Sequence, residues 1–162
     1  MEHLFTPWRR KYVVEGTREE GCVFCRLANS PEDQLLATEH WYLALNAFPY
    51  CSGHVMLISR HHLRWLGDLP AAAREELGPL LARVEDALRR AYRPEGMNLG
   101  VNFGRAGGAG IPDHLHVHLL PRWVGDTNFI TTVGQTRVVP EDLADSFARL
   151  AAALAAPNPD GA

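Results

Sequence analysis

Three histidines stand at alternate positions in the run Asp113-His114-Leu115-His116-Val117-His118-Leu119-Leu120-Pro121-Arg122-Trp123. Residues two apart in an extended strand point to the same face. His114, His116 and His118 therefore share a face, and Leu115, Val117 and Leu119 turn the other way, toward a core. One buried histidine is ordinarily a satisfied core residue. Three in register are not, because a core rarely supplies partners for three imidazoles and an unpartnered buried polar group is costly. Two chemistries suit such a row. Neutral imidazole is a common metal ligand. It is also a nucleophile that titrates near neutral pH, able to attack phosphorus and form a covalent intermediate that a second molecule displaces.

Other residues could serve the same chemistry. Residues 104–113, just ahead of the row, include Gly104, Gly107, Gly108 and Gly110. Glycines let backbone N–H groups approach an anion closely, and they equally build a flexible loop. Asn46 offers donor and acceptor on one group, and asparagine also caps turns. Cys22-Val23-Phe24-Cys25 is a C-x-x-C pair, which alone fits a redox pair or half of a zinc site. The thioredoxin-like context that a redox pair needs is absent. Cys51 reads as a small buried residue.

The elements that must position these groups follow from periodicity. Residues 41–46 and 54–59 read as two strands, joined by a turn over 47–53 with Pro49, Ser52 and Gly53. The link is too short for a crossover, so the pair is antiparallel. A helix follows, with Asp68 near its N-cap and Pro70 in its first turn. Leu77, Leu81, Val84, Leu88 and Ala91 form its apolar face. Gly78-Pro79 falls inside that pattern and predicts a kink or a broken first turn. Arg93-Pro94-Glu95-Gly96 ends the helix. Residues 97–103 read as a third strand, and the histidine strand comes next. Pro140 opens a terminal helix with Leu143, Phe147, Leu150 and Leu154 on one face. The fold class is α+β, an antiparallel sheet with one long helix packed on it and a C-terminal helix. Residues 1–20 read as an arm, 21–156 as the domain and 157–162 as a flexible tail.

Composition narrows the function classes. A chain of 162 residues supports one domain with a real core. A net charge of -3 gives no basic footprint for nucleic acid. The N-terminus has no apolar stretch suited to a signal peptide or a membrane span. Three cysteines do not suggest a secreted disulfide framework, so the cytoplasm is the default.

The histidine run resembles the signature of the histidine triad (HIT) superfamily. Further segments resemble its bacterial branch related to diadenosine tetraphosphate phosphorylases: Leu4-Phe5-Thr6-Pro7-Trp8-Arg9-Arg10-Lys11-Tyr12, Asn46-Ala47-Phe48-Pro49-Tyr50 with Gly53-His54, residues 96–104, and Arg122-Trp123 with Gly125-Asp126-Thr127-Asn128-Phe129. The resemblance implies a nucleotidyl transferase or hydrolase of nucleoside polyphosphates. His116 would be the nucleophile, His118 would contact the phosphate and departing group, and His114 would support the site. Asn46 would hold the ribose, with Phe24, Leu27 and Leu45 lining the base pocket. Asn102, Gly107, Gly108 and Gly110 would lie around the phosphates. Many relatives carry glutamine or serine near Gly110, so a side-chain phosphate contact is missing here. Trp123 would close the site or a dimer contact.

The resemblance also implies a structural zinc on Cys22, Cys25, His62 and His114, with His61 as a rival to His62. Four protein ligands leave no open position for water, so such a metal would pin the triad strand to the N-terminal segment rather than catalyse. A nucleotide substrate, inorganic phosphate as acceptor and a homodimer complete the expectation. Phosphoramidase and dinucleoside polyphosphate hydrolase activity share the same intermediate. A non-catalytic nucleotide-binding module and a zinc-stabilised scaffold belong to different classes.

Overall fold

Near-continuous apolar runs over 41–45 and 55–58 build the middle of a sheet that is buried there on both faces. The computed structural model describes residues 21–126 and 141–156. The expected arm with Trp8 and Tyr12, the segment Thr127-Asn128-Phe129, Pro140 and the tail over 157–162 lie outside these residues. The strands are β1 (Leu36–Ala37), β2 (Trp41–Leu45), β3 (Val55–Ser59), β4 (Gly96–Gly100) and β5 (His116–Arg122). They form one sheet in the order β1-β2-β3-β5-β4, with every neighbouring pair antiparallel. The helices are α1 (Val23–Leu27), α2 (Ala71–Tyr92) and α3 (Leu143–Ala155). This is the expected α+β class. Neither the short α1 nor β1 was foreseen, because five and two residues are too few to show a period.

One sheet face carries the main core. Trp41, Leu43, Val55, Leu57, Val117 and Leu119 pack with Leu80, Val84 and Leu88 of α2 and Leu150 of α3. Each such side chain contributes about 1.5–3 kcal/mol on burial. The Trp41 indole N–H donates to the Ala73 carbonyl at 2.8 Å, fixing the start of α2 to the sheet. On the opposite face, Tyr42, Ala44, Met56 and Ile58 gather around Phe24 of α1. This is the histidine face.

Several sequence expectations are corrected. Asp68 does not cap α2; it ends a 3-10 turn over Leu66–Asp68, and Pro70 occupies the N-cap position. No turn of α2 is broken at Pro79. Gly78 and Pro79 lie on the exposed side, where water can satisfy the carbonyl that proline leaves unpaired. The third strand stops at Gly100 instead of continuing to Phe103, because Val101 and Phe103 leave the sheet to pack on the helix-side core. In α3, Asp142 is the N-cap, its carboxylate accepting from the Asp145 N–H at 2.8 Å. Leu143 is exposed, and Ser146, Leu150 and Ala153 form the buried stripe.

Candidate active site and metal cluster

The register of β5 against its neighbours decides what each histidine meets. His116 stands opposite Ile58, and His118 lies between Met56 on β3 and Gly100 on β4. His114 precedes β5, where the chain is still held in line by the Leu115 N–H donating to the Leu63 carbonyl at 2.7 Å. His114 and His116 are buried and His118 is half-buried. Leu115, Val117 and Leu119 are buried on the other side, as alternation requires.

Each ring has a definable proton position. His116 donates Nδ1–H to the His114 carbonyl at 2.8 Å, so its lone pair is on Nε2. The Tyr50 backbone N–H donates to His54 Nδ1 at 3.1 Å. Neutral His54 therefore carries its proton on Nε2 and donates it to His118 Nδ1 at 3.0 Å. That leaves the proton of neutral His118 on Nε2. The rings of His116 and His118 lie 4.9 Å apart, edge to face.

Burial keeps these imidazoles neutral at pH 7. His116 is pushed below the ordinary histidine range by desolvation. Desolvation, then the neighbouring His116, pushes His118 down to about 4. His54 goes down to about 3 through desolvation, then the neighbouring His118 and His116.

His54 is the residue that sequence reasoning missed as a site member. The available signal was a histidine at the head of the otherwise apolar Val55-Met56-Leu57-Ile58 run. Its partner is 64 positions away and follows only from strand register.

The remaining candidates divide by strand face. Phe24 is buried, with its ring 5.4 Å from His114 and 4.9 Å from His116. Leu27 borders the same cluster. Leu45 does not; alternation places it with Trp41 and Leu43 on the helix side, which corrects its assignment to a base pocket. Asn46 uses its Oδ1 to accept from the Phe48 N–H at 2.9 Å, a turn-capping bond, while its amide nitrogen lies 3.3 Å from His54 Nδ1. Asn102 lies two residues beyond Gly100, the register partner of His118. Trp123 packs edge-on against Tyr92 of α2 at 6.3 Å, on the helix side and away from the histidines of its own chain. Arg122 holds Asp126 with two bonds of 2.5 and 2.7 Å and donates to Asn98 at 2.7 Å.

The glycine loop is a tight turn. Gly104 and Gly108 have φ of +65° and +88°, and a Cβ at Gly107 would lie 2.5 Å from the Phe103 carbonyl oxygen. The N–H groups of Gly108 and Ala109 donate inside the loop, to Arg105 and Gly104. Gly110 leads out of that turn toward Ile111, which borders the histidine-face cluster.

Cys22, Cys25, His62 and His114 converge, with their four donor atoms all within 4.8 Å of one another. Cys22 Sγ lies 3.3 Å and Cys25 Sγ 3.6 Å from His114 Nδ1, and Cys25 Sγ lies 3.3 Å from His62 Nδ1. Ligands bound tetrahedrally at about 2.0–2.3 Å stand roughly 3.3–3.8 Å apart, so the set fits one metal ion. The His114 Nε2–H donates to the Ser59 carbonyl at 2.6 Å, which leaves Nδ1 as the atom able to ligate a metal. Burial, then the neighbouring Cys22, pushes the Cys25 thiol up, a repulsion that a cation would relieve. His61 turns away and lies 3.3 Å from His40 instead, so the choice between the two histidines falls on His62.

A family model described as the HIT domain matches residues 28–124. The chain belongs to the HIT domain family. Over 162 aligned residues this HIT domain is 31% identical to a Mycobacterium tuberculosis protein named AP-4-A phosphorylase, covering 93% of this chain and 83% of that one. It is 28% identical to an adenosine 5'-monophosphoramidase of Saccharomyces cerevisiae, covering 69% of each. Among solved structures, a zinc-bound histidine triad family protein from Mycobacterium smegmatis superposes with a TM-score of 0.68 at 28% identity, covering 83% of this chain and 94% of that one.

Proposed function

We propose that this HIT-family enzyme is a nucleotidyl transferase that cleaves dinucleoside polyphosphates through a nucleotidyl-His116 intermediate, with inorganic phosphate as the acceptor. The observation that carries the reading is the fixed tautomer of His116. A neutral ring held by Nδ1 on the His114 carbonyl presents an unprotonated Nε2. No general base is needed to activate it.

In the first step Nε2 attacks the α-phosphorus. The Nε2–P bond forms as the P–O bond to the departing polyphosphate breaks. His118 donates its Nε2–H to the leaving oxygen and stabilises the charge that develops there. In the second step an oxygen of hydrogen phosphate attacks the same phosphorus and the Nε2–P bond breaks. Diadenosine tetraphosphate plus phosphate then gives ATP and ADP. Phosphate outcompetes water only if it is held in place, and positioning supplies up to about 7–11 kcal/mol.

Phe24 and Leu27 wall the nucleotide, and the amide group of Asn46 faces the ribose. Asn102 and the Gly107, Gly108 and Gly110 turn lie along the phosphates. Zinc is the ion assigned to Cys22, Cys25, His62 and His114, where it would supply a fixed tetrahedral anchor. Residues 21–156 act as one domain, in a homodimer, in the cytoplasm. Among the described residues no helix is long and apolar enough to cross a membrane. The similarity to the AP-4-A phosphorylase over 93% of this chain supports phosphate over water as acceptor.

The test is incubation with diadenosine tetraphosphate, with and without phosphate, and chromatography of the products. ATP plus ADP, formed only with phosphate, is the expected result. ATP plus AMP at a rate indifferent to millimolar phosphate would make the enzyme a hydrolase, and two ADP would mean symmetric cleavage.

A further inference from the structure

Two separate routes lead from the Cys22–Cys25–His62–His114 cluster to the His116 ring. The first runs through the backbone. The His114 carbonyl accepts from His116 Nδ1 at 2.8 Å. The ring of that same His114 is held at both nitrogens, by the Ser59 carbonyl at 2.6 Å and by the two sulfurs at 3.3 and 3.6 Å. A residue gripped at both ends of its ring has little freedom to turn its own carbonyl. The second route runs through α1. Phe24 lies between the two cysteines in sequence, and its ring stands 4.9 Å from that of His116. A helix of five residues with no side-chain N-cap bond is not stable on its own. Its backbone is held at Phe24, whose carbonyl accepts from the Tyr42 hydroxyl at 2.6 Å, and just past its end at Ala28, whose carbonyl accepts from Arg60 at 2.9 Å. Its start is tied to the histidine strand by the thiols.

We propose that Cys22 and Cys25 are positioning residues for His116. By gripping the His114 ring and the start of α1, they fix the rotation of the His116 imidazole and hence the direction of Nε2. The cluster then does more than hold two segments together: it sets the aim of the nucleophile. The catalytic consequence rests on His116 being the nucleophile; the ring orientation does not.

The test begins without substrate. In ¹⁵N-labelled protein, long-range proton–nitrogen correlations identify which His116 nitrogen carries the proton. The zinc-loaded protein is expected to give a single Nδ1–H signature. Cys25→Ser, with its metal content measured, is expected to give a mixed or reversed signature and a kcat lowered by about 10- to 100-fold, the range found when an outer-shell partner is lost. Cys25→His, which keeps four donors, is expected to retain zinc and the Nδ1–H signature. Phe24→Leu keeps all four ligands and removes the ring beside His116. It is expected to keep its zinc and lose about tenfold in kcat, whatever its effect on KM as a wall of the nucleotide pocket. An unchanged His116 signature in Cys25→Ser overturns the proposal. If Cys25→Ser does not fold, Phe24→Leu decides: a His116 proton no longer confined to Nδ1 supports the proposal, and a single Nδ1–H signature with wild-type kcat overturns it. If neither wild type nor variants turn over dinucleoside polyphosphates, the proposed function fails while the nitrogen signatures still decide the positioning.

Discussion

Replacing His54 with alanine removes the donor that holds His118. The 3.0 Å bond from His54 Nε2 directs the His118 proton to Nε2, toward the leaving group. Such a bond contributes about 1 kcal/mol net, and a buried acceptor left unpaired costs about 1–3 kcal/mol. Losing 1–1.4 kcal/mol of bias in the transition state lowers kcat by about five- to tenfold. The same substitution changes acid stability. Burial, then His118 and His116, holds His54 at about 3, against an ordinary value of 6.5. As pH falls, the unfolded chain takes up this proton first. The contribution is therefore complete above pH 6.5 and is lost progressively between 6.5 and about 3. Each pH unit in that window removes about 1.4 kcal/mol, so from pH 6.5 to 5 this group costs the wild type about 2 kcal/mol. His54→Ala should be spared that loss. Urea midpoints at pH 7 and pH 5, wild type against variant, measure it, and any acid release of metal is common to both. Equal acid sensitivity together with unchanged kcat would refute the reasoning.

His116→Ala should lower turnover by a factor on the order of 10⁶ while nucleotide binding, followed by calorimetry, is largely retained; near wild-type turnover would sink the covalent mechanism. Metal analysis should find about one zinc per chain, and Cys22→Ser should lose it and melt at a lower temperature; unchanged metal content and melting temperature exclude the site. Light scattering at micromolar concentration should give about twice the 18.0 kDa chain mass, and a mass near the monomer counts against the homodimer. Gly107→Ala brings a Cβ to 2.5 Å from a backbone oxygen, so it should destabilise the protein by about 1–3 kcal/mol in urea unfolding; a neutral effect would mean that the loop relaxes freely.

The sequence by itself determined whatever depends on local period and residue chemistry. Alternation in the 114–119 segment sets three imidazoles on one side and Leu115, Val117 and Leu119 in the core, because a strand repeats every two residues whatever it pairs with. The apolar repeat at Leu77, Leu81, Val84, Leu88 and Ala91 marks the long helix, and the C-x-x-C spacing marks half a metal site. The third ligand of the metal cluster stayed open between His61 and His62, because adjacent residues point to opposite sides and only the folded chain shows which side faces the thiols. Pairing His54 with His118 depends on a register between strands more than 60 residues apart, which no local pattern encodes. Leu45 and Trp123 fall on the helix side for the same reason: the sheet has two faces, and tertiary packing alone assigns one to the helices and the other to the histidines.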